Sequence, residues 1–230
     1  MFGQIAKRYD FFNHFLSLGF DYAWRCRAIE ILRKRLERGP GTGIPSSPKI
    51  LDIACGTGDL AFESLKQIPD AELTGVDLTQ PMLDLFKKKA GEKKLAITIE
   101  KGDVEELRFS DNSFDGATIG FGTRNFTHLL VAFREIHRVL KPGGVFVNLE
   151  LAKPRAFPMK QLYNFYFNML LPLVGTIFSG HNSAYKYLPN SLRAFPDLEA
   201  LAKIIEEAGF HDVRRETRTG GIVAIHSAIK

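Results

Sequence analysis

The sequence has little cysteine. Only Cys26 and Cys55 occur among its 230 residues, in different predicted elements and with no paired spacing. Disulfide frameworks and zinc sites need several cysteines or histidines at short intervals, so neither is predicted. We expect two reduced thiols and no metal.

Two kinds of apolar run are also missing. The N-terminal MFGQIAKRYDFF leads into no long apolar stretch with a small-residue cleavage site, so no secretory signal is expected. The most apolar segment, Tyr163–Phe178, is broken by Asn, Pro and Gly and is shorter than the ~20 residues of a spanning helix. We therefore predict a cytoplasmic protein.

The charge is only weakly unbalanced. The chain has 31 basic and 26 acidic residues, a net charge of +5, with the excess in Arg25–Arg38 and Lys87–Lys89. Such runs are usually solvated helix faces. Because no aromatic residues are interleaved with a basic stripe, we expect no nucleic acid as a partner.

Short apolar strands alternate with amphipathic helices from Lys49 onward, which predicts an α/β fold with a mostly parallel sheet. The last two strands, around Gly220-Gly221, predict an antiparallel hairpin at the sheet edge. The length and the hydrophobic content of 45% predict one domain over 1–230. The predicted strands are 49–55, 71–78, 96–102, 114–121, 144–151, 211–218 and 222–229, and the predicted helices are 59–68, 80–90, 127–140 and 196–209. Apolar residues at helical spacing also predict that 1–38 are helical.

The most informative stretch is KILDIACGTGD at 49–59. Apolar residues around Asp52 predict a buried parallel strand, and Gly56 and Gly58 let the backbone turn sharply into a helix N-terminus. This is a turn of the nucleotide-binding type. It also fits the pattern G-x-G-x-x-A, so a dinucleotide site is allowed.

Asp59 helps to distinguish two cofactors that such a turn can bind, a dinucleotide and S-adenosylmethionine. A carboxylate at a helix N-terminus would repel the pyrophosphate of a dinucleotide. S-adenosylmethionine has no phosphate and carries a cationic sulfonium, so Asp52 and Asp59 suit it better. We predict S-adenosylmethionine as the cofactor, with a nicotinamide-dependent oxidoreductase as the alternative.

Acidic residues follow successive strands. Asp77 closes the second strand and Asp103 follows the third, so both fall at the carboxyl edge of the sheet, where open α/β folds bind ligands. Asp77 can accept hydrogen bonds from both ribose hydroxyls and Asp103 from an adenine amino group. As an alternative, Asp59, Asp77 and Asp103 are helix caps.

The combination of LDIACGTGDL, VDL, GDVEELRFSDNSFD and RVLKPGG resembles the class I S-adenosylmethionine-dependent methyltransferases. More narrowly, the chain is similar to the menaquinone and ubiquinone biosynthesis C-methyltransferase family. The stretches that carry this similarity are YDFFNHFLSLGFDYAWR, GFGTRN, RVLKPGGVFVNLE, SAYKYLPNSLRAFPD and TGGIVAIH. The sequence departs from the family pattern at Phe12, Asp21, Gly120 and Ala152.

The resemblance implies a Rossmann-like fold with a seven-stranded sheet, N-terminal helices and a helical insertion after the fifth strand. It divides the domain into a helical lid and linker over 1–45, a cofactor-binding core over 46–152, a substrate-cap insertion over 153–195 and a closing helix with strands over 196–230. The candidate cofactor-binding residues are Asp52, Gly56, Thr57, Gly58, Asp77, Leu78, Asp103, Val104 and Gly120.

The implied reaction is methyl transfer from S-adenosylmethionine to a ring carbon of a reduced prenylated quinone. Arg124 follows the fourth strand and cannot lose its proton, so we assign it stabilisation of the developing phenolate. Asn125 would orient the ring oxygen or a water molecule that relays the proton. Both have alternatives, an ion pair for Arg124 and a helix cap for Asn125.

Several further residues are candidates for the substrate side. Tyr9, Asp10 and Asn13 lie within about one helical turn and could form the polar face of a lid. The apolar segment Tyr163–Phe178 is expected to cover a lipophilic quinol, or alternatively to form a buried helix pair. Lesser candidates are His181 as a base and Tyr185 and Tyr187 as pocket walls.

The expected partners are a lipophilic quinol, an anionic membrane surface for peripheral contact and a second copy of the chain in a homodimer. A different small lipophilic acceptor is the second interpretation. Residues alone leave open whether the ring is a naphthoquinol or a benzoquinol.

Overall fold

A computed structural model describes residues 14, 17–38, 45–154, 156–165, 191–192 and 194–230. Its helices are α1 (Phe20–Leu36), α2 (Asp59–Gln67), α3 (Gln80–Glu92), α4 (Leu129–Val139), α5 (Met159–Phe165) and α6 (Leu198–Glu207). Its strands are β1 (Lys49–Ile53), β2 (Glu72–Asp77), β3 (Thr98–Lys101), β4 (Phe114–Gly120), β5 (Leu140–Leu151), β6 (His211–Arg218) and β7 (Val223–Ile229). Two short 3₁₀ turns span Thr123–Asn125 and Thr219–Gly221.

The strands form one seven-stranded sheet in the order β3-β2-β1-β4-β5-β7-β6. Every pair is parallel except those of β7, which runs antiparallel to both β5 and β6. The predicted fold and its C-terminal hairpin are therefore confirmed. The hairpin places β6 at the edge and inserts β7 beside β5.

Alternating side chains of β5 separate the core into two layers. Phe146 packs with Phe133 and Ile136 of α4, whereas Val145 and Val147 pack with residues of α1 on the other face. Successive side chains of a strand point to opposite faces, so a strand that is covered by helices on both faces is apolar throughout. This arrangement buries the sheet and leaves its carboxyl edge for a site.

Some predicted boundaries were wrong. The helix predicted over 127–140 begins at Leu129, because the chain after β4 first makes the turn Thr123–Asn125. Strand β5 begins at Leu140 rather than at 144, since Leu140 pairs with Phe114 before the register shifts. The strand predicted over 96–102 is shorter and spans Thr98–Lys101.

The insertion after β5 is described only in part, through α5. In the parts of the chain that the structure describes, no helix combines the length and the apolar character needed to cross a membrane. The proposed division of the domain into lid, core, cap and closing elements stays a prediction.

Candidate active site

A cavity of about 330 Å³ opens at the carboxyl edge of the sheet, where β1, β2, β3 and β4 end. Seven predicted site residues line it: Gly56, Asp77, Leu78, Asp103, Val104, Gly120 and Asn125. The strand-end rule thus brings together residues that lie far apart in the sequence. The remaining predicted residues take other positions, which are described below.

The glycine turn after β1 forms one wall of the cavity. Gly56 has φ +54° and Gly58 has φ +88°, values that L side chains rarely adopt. A Cβ on Gly58 would lie 2.1 Å from the ring of Phe86, so Gly58 permits the turn to pack on α3. A Cβ on Gly56 would meet no atom within 4 Å, so at Gly56 a ligand can approach the backbone closely.

Asp77 ties this turn to the end of β2. Its Oδ2 accepts a hydrogen bond from Gly56 N at 2.9 Å, and its Oδ1 accepts one from Thr79 N at 2.8 Å. A carboxylate has about four lone-pair positions, so acceptor capacity remains on the cavity side. The geometry therefore suits a ligand with neighbouring hydroxyl donors.

Asp103 and Glu105 form the wall after β3. Asp103 is exposed, and its Oδ1 accepts a hydrogen bond from Glu105 N at 2.9 Å. Glu105 in turn accepts hydrogen bonds from Thr127 N at 2.9 Å and His128 N at 2.7 Å, and its Oε2 lies 2.7 Å from His128 Nδ1. Burial opposes ionisation, but the hydrogen bonds of His128 outweigh it and lower the pKa of Glu105.

Glu105 was missed by the sequence analysis. It lies in the same GDVEEL stretch as Asp103, but its partners are 22 and 23 residues further along the chain. Through these hydrogen bonds Glu105 holds the loop after β4 and forms one side of the cavity with it. The only sequence signal was a carboxylate two residues after a strand-end aspartate.

Asp52 lies beneath the turn and does not line the cavity. It is fully buried, and its Oδ1 accepts a hydrogen bond from Thr118 Oγ1 at 2.9 Å. Burial raises the pKa of Asp52 to about 7, although the bond to Thr118 opposes the shift. Among the described residues its Oδ2 has no hydrogen-bond partner.

Thr57 and Asp59 also lie outside the cavity. Lys89 Nζ is 3.0 Å from both Thr57 Oγ1 and Asp59 Oδ1, and Arg25 Nη2 is 3.3 Å from Asp59 Oδ2. Two cations therefore neutralise Asp59. The predicted repulsion between Asp59 and a pyrophosphate was wrong for this reason.

The charges that line the cavity, rather than the charge of Asp59, distinguish a dinucleotide from S-adenosylmethionine. Three carboxylates line it, those of Asp77, Asp103 and Glu105, and within the described part of the chain its lining includes no Lys or Arg. The charged side chains that line the cavity would repel a pyrophosphate and attract a cationic group. The residues present fit S-adenosylmethionine better than a dinucleotide.

Arg124 lies in the turn that follows β4, between the lining residues Gly122 and Asn125, but does not itself line the cavity. Its side chain is 8% exposed and its Nη1 is 2.6 Å from Glu150 Oε1. The sequence alternative of an ion pair is thus realised, in a buried position. Asn125, by contrast, faces the cavity and does not cap a helix in the part of the chain described, since α4 begins at Leu129.

Tyr163 on α5 is half-buried and lies within electrostatic range of Arg124. Burial raises the pKa of Tyr163 to about 12, and the positive charge of Arg124 opposes the shift. The phenol is therefore neutral at physiological pH. Tyr163 thus relates the described beginning of the predicted cap segment to the turn after β4.

The remaining predicted residues lie outside the described parts of the chain. These are Tyr9, Asp10 and Asn13 of the lid, His181, Tyr185 and Tyr187, and residues 166–178 of the cap segment. Their assigned roles stay predictions.

Two named methyltransferases are similar to this chain over nearly its whole length. A demethylmenaquinone methyltransferase of Thermus thermophilus is 42% identical over 226 residues, which cover 98% of each chain. The ubiquinone/menaquinone biosynthesis C-methyltransferase UbiE of a Geobacter species is 40% identical over 100% of this chain and 94% of its own.

The fold has solved counterparts as well. A methyltransferase structure from Thermotoga maritima, described as S-adenosylmethionine-dependent and as a possible histamine N-methyltransferase, superposes with a TM-score of 0.66 at 19% identity. The match covers 100% of this chain and 98% of that one, and it confirms the class I methyltransferase fold.

The model of the ubiE/COQ5 methyltransferase family matches residues 1–230, the whole chain. This match and the two relatives confirm the resemblance predicted from the sequence. The chain belongs to the ubiE/COQ5 methyltransferase family.

Proposed function

We propose that this protein transfers a methyl group from S-adenosylmethionine to a ring carbon of a reduced prenylated quinone, with demethylmenaquinol as the substrate. The observation that supports it most is a carboxylate-lined cavity without Lys or Arg among its described lining residues, in a chain of this family. A nicotinamide-dependent oxidoreductase is disfavoured, because its dinucleotide would bring phosphates to those carboxylates.

We assign a proposed cofactor contact to the end of each strand that lines the cavity. Asp77 would accept from the ribose hydroxyls, while Asp103 and Val104 would hold the adenine. Gly56 would let the methionine portion approach the backbone, since no atom would lie within 4 Å of a Cβ there. When bound, S-adenosylmethionine supplies an electrophilic methyl group on a cationic sulfur.

The acceptor becomes nucleophilic when a quinol hydroxyl loses its proton and electron density moves onto the neighbouring ring carbon. The charge of Arg124 would favour the ionised hydroxyl from a buried position, where electrostatic interactions are stronger than in water. Asn125, which lines the cavity, would orient the ring oxygen or a water molecule. The protein's largest contribution would be positioning and the exclusion of water.

The names of the relatives favour a naphthoquinol. The Thermus thermophilus relative is named a demethylmenaquinone methyltransferase, and the Geobacter relative is named for both quinone pathways. The benzoquinol of the ubiquinone pathway is the second candidate. Peripheral contact with a membrane, a cytoplasmic location, a homodimer and the absence of a nucleic-acid partner remain predictions.

A panel of acceptors tests the proposal. Purified protein is incubated with S-adenosylmethionine and, separately, with reduced demethylmenaquinone, the reduced demethyl-benzoquinone and a quinol that already carries the methyl group. We expect mass spectrometry to detect one added methyl group on the first acceptor and none on the methylated control. Transfer to the benzoquinol alone would reassign the substrate, and a thermal shift with NADH but not with S-adenosylmethionine would refute the cofactor.

A further inference from the structure

Glu150 is a buried carboxylate to which the sequence analysis assigned no role. It lies near the carboxyl end of β5 and is 1% exposed. Burying an ionised carboxylate is costly unless it is paired and hydrogen-bonded. Its partners therefore indicate what it does.

Glu150 binds both the backbone and the side chain of Arg124. Its Oε1 accepts from Arg124 Nη1 at 2.6 Å and from Leu151 N at 2.8 Å, and its Oε2 accepts from Arg124 N at 3.2 Å. Charge-assisted bonds of this kind are short and directional. A single carboxylate thus fixes the guanidinium relative to its own backbone.

The contacts extend from Arg124 to the wall of the cavity. Arg124 Nη1 also donates to Phe121 O at 2.6 Å. Phe121 lines the cavity and has φ +59°, a left-handed conformation that is unfavourable for a bulky residue. The guanidinium therefore helps to hold the strained residue that shapes this wall.

Strand β5 holds the same turn at a second point. Thr123 Oγ1 donates to Asn148 Oδ1 at 2.5 Å. Asn148 and Glu150 are two residues apart on β5, so they lie on the same face of the sheet. The turn is anchored by two side chains of one strand, and only Glu150 carries charge.

We propose that Glu150 is the positioning residue for Arg124 in methyl transfer, an inference that rests on the proposed function. The carboxylate fixes the direction of the guanidinium and at the same time cancels part of its positive charge. The fixed position of the Arg124 guanidinium favours the reaction, whereas the negative charge of Glu150 opposes ionisation of the quinol. The two effects can be separated by substitution.

Two variants separate geometry from charge. Glu150→Asp keeps the charge but is one methylene shorter, so it cannot span both contacts; we expect kcat to fall roughly 100-fold with the pH midpoint of kcat unchanged. Glu150→Gln keeps the length but removes the charge. We expect its pH midpoint to move to lower pH, because removing the carboxylate charge makes the surroundings of Arg124 more positive and so favours the ionised hydroxyl.

A matched control exists on the far side of the sheet. Glu216 on β6 receives bonds from Arg27 Nε at 3.0 Å and Arg27 Nη2 at 2.7 Å and does not line the cavity. Glu216→Gln should therefore leave kcat and its pH midpoint at wild-type values. Glu216 pairs also with Arg218, and its substitution controls for the loss of a carboxylate that binds arginine away from the cavity.

A double variant guards against misfolding. Arg124→Gln with Glu150→Gln removes both charges of the pair together, so neither is left buried without the other and it is the variant most expected to fold. In the Arg124→Gln background, replacing Glu150 should no longer lower kcat, because no guanidinium is left to position. Circular dichroism and binding of S-adenosylmethionine report whether each variant is folded.

Any other pattern in folded variants overturns the inference, including a lowered melting temperature with kcat and pH midpoint unchanged. If Glu150→Asp does not fold, the pH shift of Glu150→Gln decides, together with the unchanged kcat when Glu150 is replaced in the Arg124→Gln background. Wild-type protein that methylates no quinol would instead refute the proposed function, and the role of Glu150 with it.

Discussion

Replacing Asp77 by alanine is expected to weaken cofactor binding. The carboxylate already accepts one backbone N–H on each oxygen, from Gly56 and from Thr79, at 2.9 and 2.8 Å. The acceptor capacity that remains would be used by the ribose hydroxyls. Asp77→Ala removes those ribose contacts and also releases the glycine turn.

The size of the expected loss of affinity follows from the strength of a hydrogen bond to a carboxylate. A hydrogen bond to a charged acceptor contributes about 1.5–3 kcal/mol. Since about 1.4 kcal/mol corresponds to a factor of ten, loss of one such bond should raise the dissociation constant about 10- to 100-fold, and loss of the bonds to both hydroxyls should raise it further. Loss of the partner of Gly56 N–H acts in the same direction.

Isothermal titration calorimetry with S-adenosylmethionine and S-adenosylhomocysteine provides the assay. Both ligands carry the same ribose, so their affinities should fall by the same factor. Asp84→Ala is the control, because Asp84 is an exposed carboxylate on α3 that does not line the cavity. Unchanged affinity would refute the ribose contact, and a loss confined to S-adenosylmethionine would reassign Asp77 to the sulfonium.

Three further predictions follow from the site. Gly58→Ala should lower the free energy of unfolding by on the order of 2–5 kcal/mol in chemical denaturation, because it adds strain at φ +88° and a contact of 2.1 Å with the buried Phe86; Gly56→Ala, with no atom within 4 Å, should cost less. For Asp52 the folded pKa is raised from 3.8 to about 7, so the wild type loses stability as pH rises through this window. Asp52→Asn removes that dependence, and the difference in unfolding free energy between the two proteins should change in favour of the variant by on the order of 4 kcal/mol between pH 4 and pH 8; a constant difference would contradict it. Arg124→Ala should lower kcat by about 100- to 1,000-fold while S-adenosylmethionine still binds, and normal turnover would remove Arg124 from the mechanism.

The sequence was enough to predict which residues meet at the carboxyl edge of the sheet. Asp77 and Asp103 each follow a strand, and parallel strands end at one edge, so their meeting at the cavity could be expected. Gly56 and Gly58 were likewise identifiable, because a sharp turn into a helix requires their backbone freedom. These positions depend on neighbours in the sequence and on the strand order alone.

The sequence could not predict ion pairs between side chains of elements that lie far apart along the chain. Asp59 was expected to present its charge to a ligand, but Arg25 of α1 and Lys89 of α3 neutralise it. The pairing of Arg124 with Glu150 depends on the packing of the turn after β4 against β5. Tertiary packing, not local propensity, decides which charges remain available to a ligand.

The central claim is that a methyl group moves from S-adenosylmethionine to a ring carbon of a prenylated quinol. The most direct measurement uses S-adenosylmethionine with an isotopically labelled methyl group and reduced demethylmenaquinone, followed by mass spectrometry and NMR of the product. We expect one labelled methyl group bonded to a ring carbon. A label on the quinol oxygen, or no label in the product of active, folded protein, would contradict it.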